Sequence, residues 1–358
     1  MGTAAETPAL LTVQNVKIAG VSAAVPKEIE KVGMLECFAQ GEAEKVMALT
    51  GIKERRIAPQ GMTCSDYCVI AAEKLIEELE WSKDSIDALI FVSVSRDYSE
   101  PNTSTVIQGK MGLQASCYTI DIPMACSGYC YGLSVIASLL SSGCMKRALL
   151  LVGDTPSKIL SSLDKTLWPL HGDAGTATAL EYNLMAKPMY FNLLSDGSQY
   201  NAIIAPSSGV REPVSEESLK MQIIEPGIIR NRTHVAMDGM AVFSFTITCV
   251  PKCIKSLCEY INLDIQEIDY LLLHQANEYI DEKIRKKLKL DKAKVPYCLE
   301  YFGNTSSGTI PMTMVTKIRE ELWSKSRKMI LCGFGAGLSW GAVYLETENV
   351  KVLPLIEY

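Results

Sequence analysis

Residues 81–93 (WSKDSIDALIFVS) and 262–275 (NLDIQEIDYLLLHQ) follow the same course: the end of a helix, an Ile-Asp pair, then a short apolar run. A segment that recurs at about half the chain length implies two related halves packed together, with a site where their strand ends meet. That constrains the fold more than any other feature. Around it, short apolar runs at 16–21, 88–94, 118–121 and 147–153 alternate with helical patterns such as 65–80. In that helix Val69, Ala72, Ile76 and Leu79 recur at helical spacing, and Thr63 with Asp66 forms a capping box. The second half repeats the scheme with helices at 243–261, 277–289 and from 309, and strands at 270–273, 328–332 and 341–346. Such alternation predicts an α/β protein built on a mostly parallel, buried sheet.

The division expected is a flexible leader at 1–15, a first half at 16–198 and a second at 199–358, with a surface loop at 207–217, rich in Ser, Glu, Gly and Pro. The leader lacks the basic and apolar regions of a secretory signal, so a cytoplasmic location is expected. No run approaches the roughly 18 consecutive apolar residues of a membrane-spanning helix. A net charge of −6 and the lack of a basic stripe with interleaved aromatics argue against nucleic acid as a partner. Twelve cysteines without an export signal read as buried thiols rather than disulfides. Cys64/Cys68, Cys126/Cys130 and Cys249/Cys253 have helical rather than Cys-x-x-Cys spacing, and His171, His234 and His274 are not grouped, so no metal site is expected.

Three segments carry chemistry. In 120–143 (IDIPMACSGYCYGLSVIASLLSSG) an apolar strand breaks at Pro123 and a helix begins near Gly128, which puts Cys126 at a strand-to-helix turn. The unpaired N–H groups there favour a thiolate, so Cys126 is expected to have a lowered pKa and to be a nucleophile, against the plainer reading of a buried structural cysteine. In 270–277 (YLLLHQAN) a buried strand ends on His274, where open α/β sheets build their sites; a structural histidine is the alternative. In 301–311 (YFGNTSSGTIP) Gly303 permits an unusual backbone and Asn304 presents an amide, or else serves only as a turn residue. The glycine-rich turns at 171–179 and 331–342 fit no phosphate-binding motif and read as places of close backbone approach.

In order along the chain, TGIKERRIA (50–58), ACSGYCYGL (125–133), HGDAGTATAL (171–180), LLSDGSQY (193–200), HQAN (274–277), FGNTSSGTIP (302–311) and GFGAGLSWG (333–341) resemble β-ketoacyl-acyl-carrier-protein synthase III of the thiolase superfamily. The resemblance implies a thiolase-like duplicated, layered αβαβα fold, normally a homodimer, with Cys126 as nucleophile and His274 and Asn304 as its catalytic partners. It implies an oxyanion site from the backbone N–H groups of Cys126 and Ala336, and an acyl carrier protein as partner, with no cofactor beyond the acyl thioester substrate. Lys165, Gly239 and Glu100 fall at substrate-binding positions. Lys283, Arg285, Lys286 and Lys287 fall on the helix expected to dock carrier protein.

Residues 45–49 (KVMAL) lack the tryptophan and arginine usual before TGI, Glu278-Tyr279 replaces a usual basic residue, and Glu100 stands where a bulky apolar residue often precedes the proline. The expected reaction is loading of an acyl group on Cys126, followed by decarboxylative condensation with malonyl-carrier protein to a 3-oxoacyl product. The alternatives are transfer of the acyl group to an alcohol or amine, a papain-like hydrolase, and a catalytically silent partner subunit. The hydrolase is disfavoured by the missing C-G-[SA]-C-[WY] motif, and the silent subunit by the intact Cys126, His274 and Asn304 set.

Overall fold

The computed structural model describes residues 10–358. One sheet runs, from edge to edge, Lys351–Val352, Val16–Val25, Ala174–Tyr182, Arg147–Asp154, Ala88–Val92 and Tyr118–Ile122, with Ile356–Glu357 also pairing on Val16–Val25. The other runs Leu10–Val13, Met189–Ser195, Ser339–Thr347, Arg327–Gly335 and Tyr270–Leu273. Beneath the sequence repeat lies a structural one. Val16–Val25, Ala174–Tyr182, Arg147–Asp154 and Ala88–Val92 are joined by two antiparallel pairings and then a parallel one. Met189–Ser195, Ser339–Thr347, Arg327–Gly335 and Tyr270–Leu273 are joined the same way.

The sheets are therefore mixed, where a mostly parallel one was expected. In the second sheet the reason is connection length: residues 336–338 link Arg327–Gly335 to Ser339–Thr347, far too short for the crossover that parallel strands need.

Strand alternation sorts side chains into layers. In Arg147–Asp154, Ala148, Leu150 and Val152 face a central core, while Leu149 and Leu151 face an outer one. The central core holds the helices Gly128–Ser141 and Thr309–Lys317 between the two sheets, through Leu133, Ile136, Leu140, Ile310 and Met314. Outside the first sheet lies the helix Cys64–Glu78, whose Thr63 N–H donates to Asp66 at 3.0 Å in the expected capping box. Outside the second lie Gly239–Tyr260 and Glu278–Leu288, capped by Asp238 and Asn277. The result is the expected αβαβα layering. Gly239–Tyr260 is long and apolar enough to cross a membrane by length and composition, but Phe245, Val250, Ile254 and Leu257 are buried against the second sheet.

Two expectations need correction. Leu10–Val13, assigned to a flexible leader, pairs antiparallel with Met189–Ser195; residues 1–9 lie outside the described residues. The boundary at 198 also fails, because Met189–Ser195 belongs to the second sheet and Lys351–Val352 and Ile356–Glu357 to the first. Each half is completed by strands from the other end of the chain. Residues 205–221 form the expected irregular surface segment, enlarged by a hairpin of Gln222–Glu225 and Ile228–Arg230.

Candidate active site

Strand ends from both halves, together with the turn at 303–308, meet at one cavity of about 540 Å3. Its walls are mainly apolar, including Leu160, Leu167, Val235, Met237, Phe243 and Ile280. Cys126, His274 and Asn304 all line it. His274 and Asn304 are 2% and 6% exposed and form its floor, while Leu49 and Tyr279, at 57% and 42%, form its mouth.

Cys126 stands in the turn between Tyr118–Ile122 and Gly128–Ser141, as the break at Pro123 predicted. Its Sγ lies 3.8 Å from Ser306 Oγ. The expected lowering of its pKa is not found. Burial pushes the thiol up to about 12, with the Asp154 charge adding to that and the Ser306 hydroxyl and the residue's own backbone N–H opposing it. A rise of that size costs the thiolate about 4 kcal/mol, whereas a helix N-terminus typically returns about 1 kcal/mol or less. Desolvation wins, and the resting group is a thiol.

His274 ends the strand Tyr270–Leu273, its N–H donating to the Cys332 carbonyl at 2.7 Å. Nδ1 lies 2.9 Å from Thr309 Oγ1 and 3.2 Å from the Ser306 carbonyl, and the ring meets Phe334 edge-on with centroids 5.2 Å apart. Burial, with a smaller contribution from nearby His171, pushes the imidazole down to about 3, so it is neutral near pH 7.

Asn304 follows Gly303, whose φ of +62° is the unusual backbone anticipated there. The Asn304 N–H donates to the Leu170 carbonyl at 2.8 Å. Its Oδ1 accepts the Ser306 N–H at 2.8 Å. Because that N–H only donates, the amide orientation is fixed and the NH2 end is left for the cavity.

The glycine-rich turn lies directly against the thiol: a Cβ on Gly335 would sit 2.7 Å from Cys126 Cβ. The neighbouring Ala336 carbonyl accepts from Ser339 Oγ at 2.7 Å, and Ser339 Oγ is 2.6 Å from Ser127 Oγ. Side chain by side chain, the nucleophile's turn is tied to the turn carrying Ala336.

Not every expected residue joins them. Gly239 lines the cavity, but Lys165 and Glu100 do not. Lys165 Nζ is held by Glu42 at 2.9 Å, and Glu100 is exposed ahead of a cis peptide bond to Pro101. On Glu278–Leu288, Arg285 is engaged by both oxygens of Glu282, and Lys287 Nζ donates to the Ile247 carbonyl at 3.0 Å. Lys283 lies over the Tyr279 ring, and Lys286 is only 4.0 Å from Glu282. Of the two histidines that rank below His274 in the sequence for lack of a similar strand end, His171 lines the cavity, whereas His234 does not.

Family models for 3-oxoacyl-[acyl-carrier-protein (ACP)] synthase III match residues 120–197, and for its C-terminal part residues 258–347. A putative 3-oxoacyl-[acyl-carrier-protein] synthase 3 of Campylobacter jejuni is 31% identical over 350 residues, covering 96% of this chain and 97% of the relative. The chain belongs to the 3-oxoacyl-acyl-carrier-protein synthase III family. A Lactococcus lactis synthase III is 30% identical over 92% of this chain and 98% of its own. The crystal structure of a 3-oxoacyl-(acyl-carrier protein) synthase from Burkholderia xenovorans superposes with a TM-score of 0.92 at 34% identity, covering 98% and 99% of the two chains. The protein is thus an enzyme of the synthase III type, with a thiolase-like fold and a place in an acyl-carrier-protein-dependent family.

Within this synthase III chain, sequence reasoning missed Asp154, Ser306, Thr309 and Phe334. Asp154 ends the strand Arg147–Asp154 and lines the cavity. Its place at a strand's carboxyl end was the signal that could have found it.

Proposed function

We propose that Cys126 takes an acyl group from a thioester and that the acyl-enzyme condenses with malonyl-acyl-carrier-protein. The observation that carries this reading is the convergence of Cys126, His274 and Asn304, from both halves, on one apolar cavity with the Gly335–Ala336 turn against the thiol. In the first step the Cys126 sulfur bonds to the acyl carbon, the donor's C–S bond breaks, and the thiol proton leaves with the departing thiolate. The backbone N–H groups of Cys126 and Ala336 face the acyl oxygen. In the second step the bond between the malonyl α-carbon and its carboxylate breaks and CO2 departs. The enolate carbon attacks the acyl carbon, the Cys126 C–S bond breaks, and the departing thiolate takes a proton from solvent water. His274 Nε2–H and the Asn304 NH2 donate to the enolate oxygen, each such donor typically contributing about 3 kcal/mol.

Among the assigned positions, Gly239 binds substrate within the cavity, and Lys283 and Lys286 offer exposed charge to an acidic carrier protein. Arg285 and Lys287 contribute less, being engaged already. The chemistry calls for no cofactor, and the setting proposed is a cytoplasmic homodimer joined at the open edge of Tyr118–Ile122.

The test is release of labelled CO2 from malonyl-acyl-carrier-protein by wild type and Cys126→Ala, with intact-mass detection of the acylated Cys126 peptide. Cys126→Ala should form no acyl adduct and no condensation product. If wild type acylates Cys126 yet releases no CO2, the condensation reading fails and transfer to an alcohol or amine takes its place.

A further inference from the structure

Asp154 is fully buried, and its hydrogen-bond donors among the described residues are all uncharged. A lone buried carboxylate is costly unless hydrogen bonds satisfy it. Here one oxygen accepts from Ser93 Oγ at 2.8 Å, the Val94 N–H at 2.9 Å, and Ser95 Oγ and N–H at 3.2 and 3.3 Å. These donors follow the neighbouring strand Ala88–Val92 of the first half. The other oxygen reaches into the second half, accepting from Ser307 Oγ at 2.7 Å and the Ser307 N–H at 3.4 Å. All of its acceptor capacity goes to bracing one segment and gripping another.

The gripped segment matters because of its neighbour. Ser306 has φ +54°, a left-handed conformation that typically costs a non-glycine residue about 1–2 kcal/mol. Such strain persists only where the surroundings over-determine it. Ser306 touches all three groups of the proposed machinery: its N–H donates to Asn304 Oδ1 at 2.8 Å, its carbonyl lies 3.2 Å from His274 Nδ1, and its Oγ lies 3.8 Å from Cys126 Sγ. Asn304 holds this residue from one side and the Asp154–Ser307 pair from the other.

We propose that Asp154 is a positioning residue: by gripping Ser307 across the junction of the halves, it keeps Ser306 in the conformation that aligns His274 and Asn304. A carboxylate suits the task because one side chain must accept donors from both halves at once. The role rests on the reaction proposed above, and it separates the two steps. Acyl loading needs the thiol and the Gly335–Ala336 turn, whereas CO2 release needs His274, which packs against the Ser306 carbonyl, and Asn304, whose amide accepts the Ser306 N–H.

The experiment measures acyl loading of Cys126 and CO2 release from malonyl-acyl-carrier-protein in wild type, Ser307→Ala, Ser307→Thr and Asp154→Asn. Ser307→Ala should lose roughly tenfold or more in kcat for CO2 release, since small misplacements of reacting groups have effects of that size, while KM and the loading rate stay close to wild type. Ser307→Thr, which keeps the hydroxyl, should recover most of the loss. Asp154→Asn should fall at least as far as Ser307→Ala; should it not fold, the Ser307 pair carries the test alone. Wild-type CO2 release in Ser307→Ala, or a parallel fall in loading and CO2 release, overturns the role while leaving the reaction standing. A wild type that releases no CO2 overturns the reaction, and this role with it.

Discussion

His274 meets, through Nδ1, a Ser306 carbonyl that only accepts and a Thr309 hydroxyl that either gives or accepts a proton. The Thr309 hydroxyl also lies 3.1 Å from the Ser306 carbonyl, so for Nε2 to donate toward the cavity it must turn its one proton from that carbonyl to Nδ1. Replacing Thr309 with Val leaves only the carbonyl, which fixes the proton on Nδ1 and turns Nε2 into an acceptor. CO2 release by Thr309→Val should fall by on the order of a hundredfold, with Thr309→Ser close to wild type and acyl loading unchanged in both. Equal CO2 release by wild type and Thr309→Val would remove Thr309 from this role. Cys126 offers a pH test. Its thiol is pushed up to about 12, chiefly by burial, so the reactive thiolate is scarce at neutral pH and grows with each step toward that value. Iodoacetamide labelling of the Cys126 peptide, followed by mass spectrometry, should keep accelerating from about pH 7 to pH 10, whereas an ordinary cysteine levels off above its pKa of about 8.5. A plateau near pH 8 would show that the thiol is not desolvated. Cys126 and His274 were legible in the sequence because each is punctuated locally, by Pro123 and by the apolar run 270–273. Asp154 could be found by its strand end, but not its partners: its donors lie 61 and 153 positions away, and nothing in the adjacent Gly153 or Thr155 foretells them.

On the helix Glu278–Leu288, Asp281 is fully buried and neither carboxylate oxygen has a hydrogen-bond partner among the described residues. Burial first, and the charges of Glu282 and Glu278 after it, hold its pKa well above the usual carboxylate range. Above about pH 4 the unfolded chain releases this proton and the folded chain keeps it. The folded state therefore binds more protons, and this residue's contribution to stability falls as pH rises. Asp281→Asn should raise unfolding stability by about 1–3 kcal/mol at neutral pH and by little near pH 4, as read from urea unfolding at the two pH values. An equal change at both would show that the carboxyl does not titrate as described. Elements of this kind were legible where the pattern is local: the capping box at Thr63, the basic helix after Asn277, and the strand before His274 all formed. Leu10–Val13 was not, since a four-residue edge strand has too little periodicity to declare itself and its partner is Met189–Ser195. The parallel sheet was over-predicted because alternating helices and strands do not reveal the short turn at 336–338.

At the scale of the molecule, the first sheet stops at Tyr118–Ile122, whose outer edge has no partner among the described residues, with Tyr118 exposed and Ile120 and Ile122 only partly buried. An open edge of this kind invites pairing with a second copy. In light scattering after size exclusion, wild type should run at twice the chain mass, and Ile120→Lys should shift toward the monomer. A monomeric wild type would refute the proposed dimer. The duplication itself was legible from two short segments, but not how the halves share strands, because sequence similarity carries no record of which sheet a terminal strand joins.

That sharing bears on how the protein can be made. Val16–Val25 leaves the ribosome long before Lys351–Val352 and Ile356–Glu357, yet both pair with it, and Arg56 meets Glu357 at 2.6 Å. The first sheet must wait, one edge unfinished, until those two later strands emerge. A nascent chain halted midway leaves the backbone of Val16–Val25 unpaired along that edge, and unpaired strand edges make partly folded chains prone to aggregate.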